Sequence, residues 1–261
     1  MKVSQYFKLI ILCLLANTAM AQTAQNPIIH ADVPDVSIIR VGDTYYMSST
    51  TMHMSPGVPI MKSKDLVNWK LVSYAHDVLD DVDELNLNNG KSTYGRGSWA
   101  SSLRYHNGTY YVSTFAGTTG KTYIYSTKDI EKGPWKAQSF KPSLHDHSLF
   151  FDDDGKVYML YGAGKLILVE LKEDLSGVKP ETSNRVVIEN ATLPAGTNIN
   201  LPAEGSQLFK VNGKYYLFNI AWPRGGMRTV IIHRADKITG PYEGRVALQD
   251  KGVGQGGLIN T

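Results

Sequence analysis

The chain has 261 residues, enough for one large domain, and its hydrophobic content of 42% with 10% aromatic residues can fill a sizeable core. Its formal charge of +3 includes Lys2 and Lys8, so the remainder is nearly neutral and lacks the broad positive field that attracts nucleic acid or an anionic membrane surface. The single cysteine, Cys13, excludes a disulfide framework within the chain.

Residues 1–21 have the features of a secretory signal peptide. Lys2 and Lys8 give a positive start, a short apolar run follows, and Ala19-Met20-Ala21 is a small-residue cleavage site. The apolar run is too short to span a bilayer comfortably. We therefore expect a secreted or periplasmic protein after cleavage near Ala21, with no membrane span.

A lipoprotein attached through Cys13 is the alternative interpretation of this segment. Leu12 disfavours it, because a small residue is expected immediately before a lipidated cysteine. With cleavage near Ala21, residues 22–261 form the mature domain.

A turn followed by an aromatic strand recurs four times along this domain. The four turn pairs are Val41-Gly42, Asn107-Gly108, Asp154-Gly155 and Asn212-Gly213. Asn-Gly and Asp-Gly are strong hairpin signals, because both residues tolerate a positive φ. The turn glycines lie 66, 47 and 58 residues apart, which indicates four-stranded propeller blades with loops inserted at 77–93 and 190–202. An all-β propeller is therefore favoured over a β-sandwich, which also has short strands and turns.

Three acidic residues precede these turns at similar offsets. Asp35 lies seven residues before its turn glycine, while Asp146, Glu204 and also Trp99 lie nine before theirs. Inner strands of a propeller start around one axis, so these side chains should meet at one mouth. Converging carboxylates repel one another unless one holds a proton, and glycosidic cleavage needs such a protonated acid beside an ionised base. For any one acid the alternative is a solvated charge at a strand end.

Aromatic and basic residues near the acids are candidates for substrate binding. We expect Trp99, at the acid offset, to form a wall that stacks on a sugar. Trp222 is equally consistent with the core and with the pocket. Arg228 follows a Gly-Gly turn and is interpreted either as a clamp for a sugar hydroxyl or the acids, or as part of a surface ion pair.

The sequence His145-Asp146-His147 raises the possibility of a metal site. In a regular strand His145 and His147 share one face and Asp146 takes the other. The three side chains should therefore not bind one ion together, and we expect no metal.

Four stretches resemble glycoside hydrolase family 43. They are Pro34-Asp35-Val36-Ser37, Ser63-Lys64-Asp65-Leu66-Val67-Asn68-Trp69, Ser148-Leu149-Phe150-Phe151-Asp152-Asp153-Asp154-Gly155 and Ala203-Glu204-Gly205-Ser206. The resemblance implies a five-bladed propeller and an inverting mechanism. It also implies that Asp35 is the general base, Glu204 the general acid and Asp146 the residue that tunes and orients that acid. The family usually has proline after the second acid, where this chain has His147.

The last eight residues, 254–261, resemble the inner strand of a fifth blade, with Gln255 as a substrate-binding residue. We therefore expect an incomplete fifth blade and a member of the family that is truncated at its C-terminus.

The best-known activities of the family are β-xylosidase, α-L-arabinofuranosidase and arabinanase. The sequence thus predicts a glycosidase that releases xylose or arabinose from xylan or arabinan fragments, with a carbohydrate as its partner and no required cofactor. Two alternatives stay open: a carbohydrate-binding propeller without catalysis, and a retaining glycosidase of a related five-bladed family.

Overall fold

A computed structural model describes residues 24–80, 82–182, 185–250, 254 and 256–259. The predicted signal peptide, Cys13 and Gln255 lie outside these residues. The chain divides into a unit that ends at His30 and a second unit from Ala31 onward, which contains all the elements below.

The described residues form four antiparallel sheets, each of four strands that follow chain order. Blade 1 contains β1 (Ser37–Val41), β2 (Thr44–Ser48), β3 (Gly57–Ser63) and β4 (Lys70–His76). Blade 2 contains β5 (Ser102–His106), β6 (Thr109–Ala116), β7 (Lys121–Thr127) and β8 (Lys136–Phe140). Blade 3 contains β9 (Ser148–Phe151), β10 (Val157–Tyr161), β11 (Leu166–Glu170) and β12 (Arg185–Ile188). Blade 4 contains β13 (Ile199–Val211), β14 (Lys214–Pro223), β15 (Thr229–Ala235) and β16 (Glu243–Gln249).

Within the residues that the structure describes, helical structure is confined to the connections between strands. One short α-helix, α1 (Asp83–Asn86), lies in the loop predicted after blade 1, and Leu85 anchors it in the core. Short 3₁₀ segments occupy Asn88–Gly90, Pro180–Thr182 and Leu193–Ala195. Over the residues that the structure describes, no helix has the length and apolar character needed to cross a membrane.

The predicted hairpin turns are confirmed. Asn107 and Gly108 have φ of 47° and 72°, and Asn212 and Gly213 have φ of 50° and 74°, as the right-handed twist of the flanking strands requires. In blade 1 the turn falls one residue later than predicted, on Gly42 and Asp43, because β1 continues to Val41.

Neighbouring blades pack through their innermost strands: β1 contacts β5, β5 contacts β9, and β9 contacts β13. Apolar layers fill the spaces between the sheets, with Ile60 and Leu103 between blades 1 and 2 and Leu160 and Leu208 between blades 3 and 4. The prediction of an all-β propeller is therefore confirmed.

Buried serines also link the inner strands. Backbone N–H groups donate to serine Oγ atoms on the preceding blade in three pairs: Leu103 to Ser37 (3.1 Å), Leu149 to Ser102 (3.0 Å) and Leu208 to Ser148 (2.9 Å). The starts of the four inner strands are thereby held at one level.

The described residues form four blades, without the expected first strand of a fifth, so the prediction of an incomplete fifth blade at residues 254–261 is wrong. Among the described residues there, 254 and 256–259, none belongs to a strand. A strand depends on hydrogen bonds to a neighbouring strand. Leu258 instead packs by its side chain against the outer face of blade 4, near Phe209 and Val230.

Candidate active site

Each of the three predicted acids lies two residues before a buried serine of an inner strand. Asp35 precedes Ser37, Asp146 precedes Ser148, and Glu204 precedes Ser206. Asp35 and Asp146 have φ of 52° and 46°. Such angles are uncommon for residues other than glycine, aspartate tolerates them better than most, and they occur preferentially at functional sites.

Asp146, Glu204 and His145 form a tight cluster. One ligand atom from each lies within 4.8 Å of the others. The Nε2 atom of His145 is 3.1 Å from Oε2 of Glu204 and 3.8 Å from Oδ2 of Asp146. The backbone N–H of Gly205 donates to Oδ2 of Asp146 at 3.2 Å, so Asp146 fixes the backbone immediately after Glu204.

Burial has its largest effect on Asp146, whose side chain is only 10% exposed. Burial, together with the nearby charges of Glu204 and Asp35, raises the pKa of Asp146 to about 6, although His145 and the Gly205 N–H oppose the shift. The carboxyl group therefore loses its proton near neutral pH rather than near pH 4.

Asp35 belongs to the same group of charged residues, but it lies outside the cluster of His145, Asp146 and Glu204. Burial and the charge of Glu204 raise the pKa of Asp35, and Arg228 lowers it. Asp35 is not part of the cluster whose ligand atoms lie within 4.8 Å of one another. The charges of the three acids, from blades 1, 3 and 4, thus act on one another, and Asp35 lies outside the cluster that Asp146 and Glu204 form with His145.

Arg228 and Trp222 flank the Asp35 side. The guanidinium carbon of Arg228 lies 5.5 Å from the centre of the Trp222 ring, and the indole N–H of Trp222 donates to the Gly226 carbonyl. The two alternatives for Trp222 were a place in the core and a place in the pocket. Trp222 is 38% exposed, which excludes the core. Arg228 is held close to the acids rather than in a remote ion pair.

Comparison with known proteins identifies the family of the chain. The model of glycosyl hydrolases family 43 matches residues 24–249. The chain belongs to this family.

Relatives in family 43 include glycosidases of two specificities. A beta-xylosidase of Formosa agariphila is 32% identical over 90% of this chain and 44% of its own length. A non-reducing end alpha-L-arabinofuranosidase of Bacteroides ovatus is 33% identical over 88% of this chain and 42% of its own. A solved structure of a bifunctional GH43-CE protein of Bacteroides eggerthii is 74% identical with a TM-score of 0.87, and covers 91% of this chain and 31% of its own. The chain thus spans less than half of each of these relatives.

Trp99 lies near His145 of the site, but it does not occupy the position in blade 2 that is equivalent to the acids. Its ring centre is 6.4 Å from that of His145 and 6.0 Å from that of Phe115. Since Ser102 corresponds to the serines that follow the acids, the residue equivalent to the acids is Ala100. Counting nine residues back from the turn glycine gave the wrong residue in this blade, because the inner strands differ in the number of residues that precede their turns.

His145 belongs to the site, although it was not among the site residues predicted from the sequence. The expectation that His145 and His147 share a face is wrong: His147 points away and bonds the Leu144 carbonyl and the Ser113 hydroxyl. The positive φ of Asp146 interrupts the alternation of a regular strand, so His145 and Asp146 both face Glu204. The one sequence feature that indicates a place for His145 in the site is its position immediately before Asp146.

Proposed function

We propose that this chain is the catalytic propeller of an inverting glycosidase that releases xylose or arabinose from xylan- or arabinan-derived oligosaccharides. The observation that carries the proposal is the convergence of Asp35, Asp146 and Glu204, with the pKa of Asp146 raised to about 6. The names of the relatives, a beta-xylosidase and an alpha-L-arabinofuranosidase, support the choice of pentoses.

In the proposed reaction Glu204 gives its proton to the glycosidic oxygen, and the bond from that oxygen to the anomeric carbon breaks. Water attacks the anomeric carbon from the opposite face and loses a proton to Asp35. Asp146 orients Glu204 through the Gly205 N–H. We infer inversion from the membership of the chain in family 43; an inverting acid and base need room for a water molecule between them.

Four residues are proposed to contact the sugar: Trp99, Trp222, Arg228 and Gln255. Trp99 and Trp222 offer aromatic faces for stacking, and Arg228 offers hydrogen-bond donors next to the base. Proton donation and water activation are both performed by carboxyl groups, so we propose that the reaction requires no cofactor or metal ion.

We also propose that the full propeller has five blades and that the protein is secreted after removal of residues 1–21. Support for a fifth blade comes from a cavity of about 260 Å³ between blades 1 and 4, lined by Ile38, Phe209 and Leu258. Leu258 already covers part of the apolar outer face of blade 4 there.

The test is a panel of nitrophenyl β-xyloside, nitrophenyl α-L-arabinofuranoside and the corresponding disaccharides. We expect the protein to release pentose from at least one member of the panel and Asp35→Asn to slow that release by a factor of about 10²–10⁴. Binding of the sugars without any release would instead indicate a carbohydrate-binding propeller.

A further inference from the structure

His145 forms a hydrogen bond with the side chain of Glu204 that the proposed reaction does not use. The Nε2 atom of His145 lies 3.1 Å from Oε2 of Glu204, and the same nitrogen lies 3.8 Å from Oδ2 of Asp146. An ionisable group bonded directly to an acid affects both where the acid points and how readily it gives up its proton.

Neighbouring rings and the backbone hold His145 in place. The ring centre of Phe115 lies 5.4 Å from that of His145, with the planes at 73°, and the ring centre of Trp99 lies 6.4 Å away. On the backbone, the Gly162 N–H donates to the His145 carbonyl at 3.0 Å. The imidazole therefore meets Glu204 from a position that the fold sets in advance.

The groups around His145 favour its protonated form. The hydrogen bond with Glu204 raises the pKa of His145, the charges of Asp146 and Glu204 add to the shift, and burial opposes it. The next histidine along the chain, His147, is buried, and burial lowers its pKa to about 4, so it carries no charge at neutral pH. An imidazolium has hydrogen on both nitrogens, so Nε2 donates to Oε2 of Glu204.

Two further charges reach this cluster indirectly. The charge of Asp35 raises the pKa of Asp146, and Arg228 lowers the pKa of Asp35. The rings that blade 2 places beside His145 carry no charge. The charges that act directly on His145 are therefore those of Asp146 and Glu204.

The hydrogen bond to Oε2 leaves the second oxygen of Glu204 for the substrate. Within the described part of the chain, Oε1 of Glu204 forms no hydrogen bond. A protonated carboxyl group carries its hydrogen on one oxygen, and a donor at Oε2 favours the arrangement with that hydrogen on Oε1. His145 thereby selects the oxygen from which the proton is given.

The positive charge of His145 acts on the step in which the proton leaves. The Oε1–H bond of Glu204 breaks, the proton passes to the glycosidic oxygen, and Glu204 becomes a carboxylate close to that of Asp146. Like charges in a partly buried site repel each other, and an imidazolium 3.1 Å from one and 3.8 Å from the other offsets this repulsion. Proton donation is therefore easier with His145 in place.

We propose that His145 is a positioning residue for Glu204, which holds Oε2, keeps the proton on Oε1 and stabilises the carboxylate that remains after proton transfer. The inference rests on the proposed glycosidase function and adds a residue that acts through its acid. It predicts that His145 matters for leaving groups that need a proton and not for those that depart without one.

The experiment compares His145→Phe and His145→Gln with wild type on a pentose disaccharide and on the matching dinitrophenyl pentoside. Phenylalanine keeps a ring beside Trp99 and Phe115 but removes the hydrogen bond and the charge, whereas glutamine keeps a donor and removes only the charge. We expect His145→Phe to lower kcat/KM for the disaccharide by about tenfold or more, the scale of one hydrogen bond to a charged group, and to leave the aryl pentoside nearly unchanged. His145→Gln should lose less on the disaccharide.

The pH profile separates this role from a purely structural one. A carboxyl group without a neighbouring cation keeps its proton to higher pH, so the alkaline limb of kcat/KM for the disaccharide should move to higher pH in both variants. His106→Gln is the control, because His106 is the last residue of β5 and stacks on Phe151. It should change neither the rates nor the position of the limb.

Equal losses on both substrates, an unchanged disaccharide rate in His145→Phe, or an alkaline limb that stays in place would each overturn the proposal while the glycosidase function stands. If wild type hydrolyses neither substrate, the proposed function fails, and NMR titration of the His145 ring in wild type and Glu204→Gln decides the contact separately. A lower titration midpoint in Glu204→Gln supports the contact, whereas equal midpoints overturn it.

Discussion

At the scale of single residues, the three acids are chemically similar groups that their surroundings make different. Asp35 has a positive charge nearby in Arg228, whereas Asp146 is deeper and lies against another carboxylate. Burial and like charge disfavour the ionised form, and a neighbouring cation favours it. The same residue type can therefore serve as a base in one blade and as an orienting group in another.

Asp35→Asn tests the assignment of the base. We expect turnover to fall by a factor of about 10²–10⁴, the usual contribution of acid–base catalysis, with little change in melting temperature. Asp32→Asn is the matched control, because Asp32 lies close in sequence but not at the position two residues before Ser37. The assignment is wrong if Asp32→Asn is the more damaging of the two.

Glu204→Ala tests the assignment of the acid. A dinitrophenyl pentoside has a leaving group that departs without a proton, whereas the sugar alcohol of a disaccharide does not. We expect kcat/KM to fall by about 10²–10⁴ on the disaccharide and far less on the aryl pentoside. Steady-state rates on both substrates check this, and parallel losses would speak against proton donation by Glu204.

Asp146→Asn tests the origin of its raised pKa. The folded protein holds a proton on Asp146 up to about pH 6, while the unfolded chain releases it near 3.8, so folding stability falls as the pH rises between these values. Removal of the charge should therefore stabilise the protein by about 2–3 kcal/mol at pH 8 and by much less near pH 4. Denaturant unfolding at the two pH values measures the difference. An equal effect at both would contradict the explanation.

At the scale of elements, the acids are held in place by the serines at the starts of the inner strands. Ser148 is fully buried and accepts hydrogen bonds from the Leu208 N–H at 2.9 Å and from the Arg104 guanidinium at 2.8 Å. One hydroxyl thus joins blades 2, 3 and 4 two residues beyond Asp146.

Ser148→Ala should leave the donors of Leu208 and Arg104 without this acceptor. We expect a loss of about 1–3 kcal/mol of folding stability for the unsatisfied buried groups. Ser139→Ala, in the exposed part of β8, is the control and should be nearly neutral. Urea unfolding of both variants gives the comparison, and a neutral Ser148→Ala would show that the serine does not link the blades.

The recurrence of turn and strand in the sequence predicted much of this geometry. Asn107-Gly108 and Asn212-Gly213 form the expected turns, because the requirement for positive φ is local and visible in residue type. The offsets from these turns also predicted that Asp35, Asp146 and Glu204 lie at one mouth.

The sequence could not predict features that depend on contacts between elements. The contact of His145 with Glu204 depends on the positive φ of Asp146, an angle that the alternation of a regular strand does not predict. Trp99 was wrongly predicted to occupy the position of the acids. The lengths of the inner strands can be compared only when the serines at their starts have been aligned, and the sequence alone does not show that alignment. The strand predicted for residues 254–261, which the described residues 254 and 256–259 do not form, depends on a partner strand that residue patterns alone do not supply.

At the scale of the whole molecule, the four blades that the described residues form pack in series, so the series has two end faces, one on blade 1 and one on blade 4. The end face of blade 4, with Phe218 and Val230, is met by Leu258. The chain also spans only 44% of the beta-xylosidase relative, so the proposed activity belongs to the protein as a whole.

The stereochemistry of the released sugar tests the central claim most directly. Proton NMR recorded at once after addition of enzyme to a β-xyloside, or to an α-L-arabinofuranoside if that is the substrate, distinguishes the anomer formed first. An acid and a base with room for water between them predict that the first product has the opposite anomeric configuration to the substrate. A first product that retains the configuration would contradict the roles proposed for Asp35 and Glu204.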